Sequence, residues 1–278
     1  MKLRLRPALS LIAVSLMGCV MPPVSRGQND KTDYGLVAGT VANMLMENHY
    51  SMKDFDDELS RKALQNFFDY LDYSRLYFTQ AEIENFRSLY ETKLDDYVFK
   101  YQIKPAKEIH QLYLKKIKDR AANIKALLEG GKLDFNTDKN IELSRKDAPW
   151  AASEGDLDEL WTRQITREVL QERLILARAA ERKKEKEAKD AAAAGKPEAS
   201  QGTPPPAPEA AKEPRKTPDT PEQKVLKRYD RFLKVILEQD DEDVTNFFLS
   251  CIASAYDPHS EYLSAPEQDR FNIDMKSP

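Results

Sequence analysis

Residues 241–278 read DEDVTNFFLSCIASAYDPHSEYLSAPEQDRFNIDMKSP, and the first half of that stretch decides the fold class. Val244, Phe247, Phe248, Cys251, Ile252 and Ala255 recur at helical spacing and form one apolar face, which needs a partner surface to cover it. Asp257-Pro258 ends the helix, because proline lacks a backbone donor and drives the residue before it out of the α region. The segment YDPHSEYL that follows is a turn, and we expect the stretch to end in it.

Upstream the same pattern repeats. Leu36, Val41, Leu45 and Met46 mark a first helix, and Leu59, Ala63, Phe67, Phe68 and Leu71 a second, neither with an internal proline. A third starts at Thr79, where Thr79 and Glu82 have capping-box spacing, and carries Ile83, Phe86, Tyr90, Leu94 and Tyr97 on one side. A fourth follows Pro105, with apolar residues from Ile109 to Leu128 every three or four positions until Gly130-Gly131 stops it. Residues 133–149 show short alternation and turn formers, consistent with a small hairpin or an irregular crossover.

Ser153 opens a long helix through Leu157, Leu160, Trp161, Ile165, Val169 and Leu174. It fades into residues 181–194, a run of Lys, Glu and Ala that reads as a solvated helical extension. Between 195 and 221 the chain holds eight of its 16 prolines and no side chain larger than alanine that is aliphatic or aromatic. Nothing there offsets the entropy of ordering. The whole insertion, about 182–221, is expected to be a disordered Pro/Ala/Lys-rich interruption, its proline run a spacer. Val225, Tyr229, Phe232, Leu233, Ile236 and Leu237 then rebuild an apolar face, so the chain re-enters the same core. The expected fold is all-α: one irregular multi-helix domain, 33–278, interrupted rather than divided.

Three stretches carry a family resemblance. DEDVTNFFLSCIASAYDPHSEYLSAPEQDRFNIDM resembles the close of the N-terminal helical domain of tail-specific (C-terminal processing) periplasmic serine proteases. LDYSRLYFTQAEIENF (71–86), and SRKDAPW with LDELW after it (144–161), are similar to two further parts of that domain, in the family's order. The proline-rich insertion departs from the family's shorter link. The resemblance implies polypeptide substrates, envelope proteins with apolar C-terminal tails, processed without ATP or metal. In the family a PDZ module and a Ser-Lys protease domain come next. Neither lies in these residues, so no position inherits the nucleophile or its lysine base. The domain would frame the protease and present tails to it. The other reading is a stand-alone helical lipoprotein that acts as an adaptor or scaffold.

The N-terminus reads as an address. Lys2, Arg4 and Arg6 precede an apolar run over 8–17 that is too short to cross a bilayer as a stable helix. Leu16-Met17-Gly18-Cys19 resembles a bacterial lipobox, with 1–18 as signal peptide, cleavage between Gly18 and Cys19, and Cys19 lipidated. Residues 19–32, with two prolines and small polar residues, form a tether. The expected location is the periplasm, held to a membrane surface by acyl chains, since two or more chains anchor stably.

The rest of the composition narrows the chemistry. A formal charge of -4 with 32% charged residues lacks the basic excess of a nucleic-acid binder. Three histidines, His49, His110 and His259, sit in separate elements, and no HExxH or paired Cys-x-x-Cys spacing exists, so neither a metal nor another cofactor is expected. We expect a capping or surface role for His49 and His110, a turn-stabilising one for His259, and a buried free thiol at Cys251. Asp257, His259 and Ser260 have the residue types of a catalytic triad, but near neighbours in a tight turn cannot align a serine oxygen, an imidazole and a carboxylate. They read as turn formers, so no catalytic residue is expected. Tyr73, Tyr77 and Phe78, at a helix-to-helix turn, are the candidates for lining a polypeptide groove.

Overall fold

A computed structural model describes residues 32–131, 133–138, 140–142, 144–194 and 218–276. The signal peptide, Gly18 and Cys19, the tether up to residue 31 and the 195–217 part of the insertion lie outside the described residues. Among the described residues the fold is all-α, and its one β feature is an isolated bridge between Thr79 and Ala151. No helix there is long and apolar enough to cross a membrane.

Helices α1 (Tyr34–Asn48) and α2 (Asp57–Leu71) each begin at an aspartate whose carboxylate accepts two backbone N–H groups, Asp33 from Gly35 and Leu36, Asp56 from Glu58 and Leu59. Gly35 and Gly39 let α1 lie directly against the loop at Tyr101, a residue in left-handed backbone (φ 57°). Both the Thr79 hydroxyl and the Glu82 carboxylate cap α3 (Gln80–Tyr90), as their spacing predicts.

The third apolar stripe is not one helix. The chain breaks after Tyr90 and restarts as α4 (Leu94–Phe99). Ser60, fully buried on α2, caps the restart: its hydroxyl accepts the Asp95 N–H (3.1 Å) and donates to the Asp95 carboxylate (2.9 Å). A hydroxyl from another helix thus takes the place of the intrahelical carbonyl, and the change of direction brings Leu94 and Val98 into the core.

Helix α5 (Lys104–Glu129) has Pro105 in its first turn and ends at Gly130, followed by Gly131 in left-handed backbone (φ 63°). At 1.5 Å per residue it is about 39 Å long, enough to serve two cores. Its N-terminal half packs with α1 to α4 and α8 (Asp241–Tyr256) around Phe67, Phe68, Phe78, Ile109 and Phe248. Its C-terminal half packs with α6 (Glu154–Ala194) and α7 (Pro221–Leu237) around Ile124, Trp161, Ile165, Val169 and Val225.

The insertion is shorter than the expected 182–221. Residues 182–194 continue α6, because Lys, Glu and Ala favour helix and Lys183–Glu187 pair at 3.8 Å one turn apart. At the far end Thr220 and Gln223 form the capping box of α7. Residues 133–149 run without strand where described, and the Arg75 Nε donates to the Lys146 carbonyl (2.9 Å).

The end of the chain also differs from expectation. After the turn a further helix, α9 (Ala265–Lys276), forms. Its start is signalled by Ser264-x-x-Glu267, the spacing already used at Thr79: the Glu267 carboxylate takes both the Ser264 N–H (2.9 Å) and its hydroxyl (2.7 Å). None of its residues is buried.

Candidate functional site

The turn after α8 does gather serine, histidine and aspartate, but with a different histidine. The His49 Nε2 lies 3.1 Å from the Ser260 Oγ, and Ser260 donates its hydroxyl to the Asp257 Oδ2 (3.3 Å). His49 comes from the end of α1, 211 positions away, so no local spacing announces it. His259 offers only its backbone N–H, to Asp257 (3.2 Å).

Tautomer chemistry decides what this cluster does. Two groups of Ser51 meet the His49 Nδ1, its N–H at 3.2 Å and its Oγ at 2.7 Å; the N–H can only donate, so with the hydroxyl donating as well Nδ1 is the acceptor and the proton sits on Nε2. Nε2–H then points at Ser260. A general base must receive the serine proton, and this imidazole offers one instead. The cluster is a clasp that ties α1 to the turn. His110 is likewise no surface group: it is buried, its Nε2 3.2 Å from the Gln239 Oε1, and burial holds it below the ordinary imidazole value of 6.5. Cys251 is a buried free thiol, pushed up to about 12 by burial.

The three groove candidates share a turn built by Asp72. Its buried carboxylate accepts N–H from Leu76 (2.8 Å), Tyr77 (2.8 Å) and Phe78 (3.0 Å). Burial pushes this carboxyl up, while those three donors and Arg75 pull it back. The turn sends its aromatics to three places. Tyr73 is exposed, with the Lys146 ammonium 5.8 Å from its ring. Phe78 is wholly buried against Phe68, Tyr113 and Trp150. Tyr77 stands between the two cores, edge-on to Tyr113 and Trp161, both at 5.4 Å.

Tyr77 reaches a concave surface. A recess of about 350 Å³ opens between α5 and α6, lined by Arg120, Asn123, Leu127, Asp158 and Thr162 over the buried Ile124, Trp161 and Ile165. A second of about 290 Å³, lined by Tyr77, Glu82, Leu112 and Lys116 among others, shares Arg120 and Asn123 with it. Salt bridges cross this cleft: Lys116 pairs with Glu82 (2.7 Å) and with Glu154, and Arg120 with Asp158. The Trp161 indole is held by its N–H to the Leu76 carbonyl (2.6 Å), so the Asp72 turn also sets one wall. Sequence periodicity assigned Trp161 and Ile165 to a core face and gave no sign of the cleft between the helices. Among the described residues no group of three His, Cys, Asp or Glu gathers as metal ligands.

A family profile described as "Tail specific protease N-terminal domain" matches residues 41–266. The chain belongs to this family. A tail-specific protease from Haemophilus influenzae is 23% identical over 228 residues, 82% of this chain and 27% of the relative. The chain thus spans about a quarter of the length of that relative. The matched segment of this tail-specific protease N-terminal domain contains the His49–Ser260 clasp, the Asp72 turn and the α5–α6 cleft, and it stops at the start of α9.

Proposed function

We propose that this domain frames the protease of a tail-specific, C-terminal processing serine-type endopeptidase and presents polypeptide tails of envelope proteins to it. The family match across both cores carries this reading. The clasp supports it, since the serine and histidine types present are locked in a structural hydrogen-bond chain and leave hydrolysis to residues outside this domain. The partners are therefore unfolded polypeptide tails and the PDZ and protease domains. The test is to incubate the purified chain with an unfolded reporter protein carrying an apolar C-terminal tail. Binding without cleavage is expected. Cleavage that disappears in Ser260→Ala, or no binding of the reporter at all, would overturn the reading.

The same proposal places the domain in the periplasm, on a lipid anchor at Cys19 after cleavage behind Gly18. The lipobox-like Leu16-Met17-Gly18-Cys19 supports it. Labelled palmitate is expected in the wild-type protein and absent from Cys19→Ser. Equal labelling of the two removes the anchor from the account.

A further inference from the structure

We propose that the recess between α6 and residues 140–145 binds a small organic anion, one carboxylate or phosphate head on a short apolar body. The site shares no lining residue with the α5–α6 cleft and does not rest on the presenting role.

Unmet donors mark the place. Five buried side-chain nitrogen or oxygen atoms lack a hydrogen-bond partner among the described residues, and three of them are the Nε atoms of Arg145, Arg163 and Arg167. Buried polar groups without partners are uncommon, so three of one kind need a physical reason. Leu160, Arg163, Gln164 and Arg167 are three or four positions apart along α6 and share a face. Arg145 reaches the same recess, of about 380 Å³, from the segment opposite. Glu142 holds Arg145 through one nitrogen (2.9 Å), and Glu159 holds Arg163 through one (2.6 Å). Each carboxylate thus engages one nitrogen of a fork that carries five N–H donors. Arg167 makes no ion pair among the described residues.

The charge and the walls set the ligand class. The lining carries two guanidiniums and one carboxylate, an excess of one positive charge. Asp134 lines a neighbouring recess instead, where its carboxylate accepts the Asn136 N–H (2.9 Å). The Arg145 side chain is only 17% exposed and that of Arg163 35%, so water meets part of their demand. A carboxylate or phosphate head meets the rest, since its oxygens match the planar fork. Exposed Asn140 adds amide donors. The other walls are apolar: Leu76, Ile141 and Leu160 are half-buried and border the recess. A body of a few carbons covers them, and the volume suits a small molecule. A polyanion such as nucleic acid does not fit a single excess cation on a chain of charge -4. The bound anion would tie residues 140–145 to α6, because one arginine comes from each.

The experiment is isothermal titration calorimetry of n-hexyl phosphate into the purified full chain, in wild type, Arg145→Gln, Arg163→Gln and Asn140→Asp. Asn140 is exposed and makes no hydrogen bond among the described residues, so Asn140→Asp changes the charge of the site and leaves the fold in place. Circular dichroism checks each variant. We expect saturable binding in wild type and a Kd about tenfold weaker in either arginine variant, from the loss of a charge-assisted hydrogen bond. Asn140→Asp should weaken binding at least about threefold, because its carboxylate repels the head. Inorganic phosphate, which lacks the apolar body, should bind about tenfold more weakly than hexyl phosphate, and n-hexanol should not bind. Competition by phosphatidylglycerol vesicles would assign the head to a lipid, and its absence to a free small molecule; either result keeps the site. No saturable binding in wild type, or equal affinity in wild type and all three variants, would overturn it. Hexanol binding as tightly as hexyl phosphate would overturn the anionic head, and inorganic phosphate binding as tightly would overturn the apolar body.

Discussion

Asp72→Ala is expected to lower the unfolding free energy by about 3–4 kcal/mol, because it leaves the N–H groups of Leu76, Tyr77 and Phe78 without their acceptor where the chain turns into the core. A surface capping residue would cost only about 1 kcal/mol. The difference is burial: Asp72 is 2% exposed and Phe78 0%, so water reaches the orphaned donors only if the turn opens. Asp72→Asn keeps one carbonyl oxygen and should fall between the two. Urea unfolding followed by circular dichroism measures this, and an Asp72→Ala loss below about 1 kcal/mol would show that the carboxylate does not hold the turn. The variant has a second reading. Because the Trp161 indole donates to Leu76, loosening the turn should also disturb the cleft wall.

The second large effect concerns two glycines that look equivalent in sequence. A Cβ on Gly35 would sit 1.8 Å from the Tyr101 carbonyl oxygen, and one on Gly39 2.5 Å from the Tyr101 ring. The first obstacle is backbone; the second is chiefly a half-exposed side chain, with the Val98 carbonyl oxygen also 3.1 Å away. Gly35→Ala should therefore cost about 3 kcal/mol through displacement of α1, well beyond the roughly 1 kcal/mol that alanine returns in helix propensity. Gly39→Ala should cost less, and Tyr101→Ala should rescue most of that cost, leaving the Val98 carbonyl contact, while doing nothing for Gly35→Ala. The double-mutant cycle is measured by thermal unfolding. Rescue of both, or of neither, would contradict the packing described. Loss of α1 would also release His49 from Ser260, since the clasp begins at that helix's end.

Both predictions depend on contacts of different ranges, and that range decides what could be read in advance. The start of α3 was read from a partner three residues away, Thr79 with Glu82, and the structure shows caps of similarly short range at Thr220 with Gln223 and at Asp56 with the N–H groups of Glu58 and Leu59. The same signal at Ser264 and Glu267 was present and marks α9. The expected single helix from Thr79 to Tyr97 is two helices, the second capped by Ser60 of another helix, and apolar spacing carries no trace of a hydroxyl that arrives from 35 positions away. Of the groove candidates, composition placed three aromatics at one turn, while the cores on either side sent Tyr73 to solvent, Phe78 inward and Tyr77 to the cleft.

By itself, then, the sequence determined the all-α class, the start of α3, the stops after α5 and α8 and the family, because periodicity, caps and glycine or proline stops act within a turn or two of chain. Only the tertiary structure decided which histidine meets Ser260, where α3 gives way to α4, and that a cleft with Asn123 at its junction lies between α5 and α6. Those depend on which surfaces pack together, and a side chain's partner across 211 positions is chosen by the packing of whole helices, not by its neighbours in the chain.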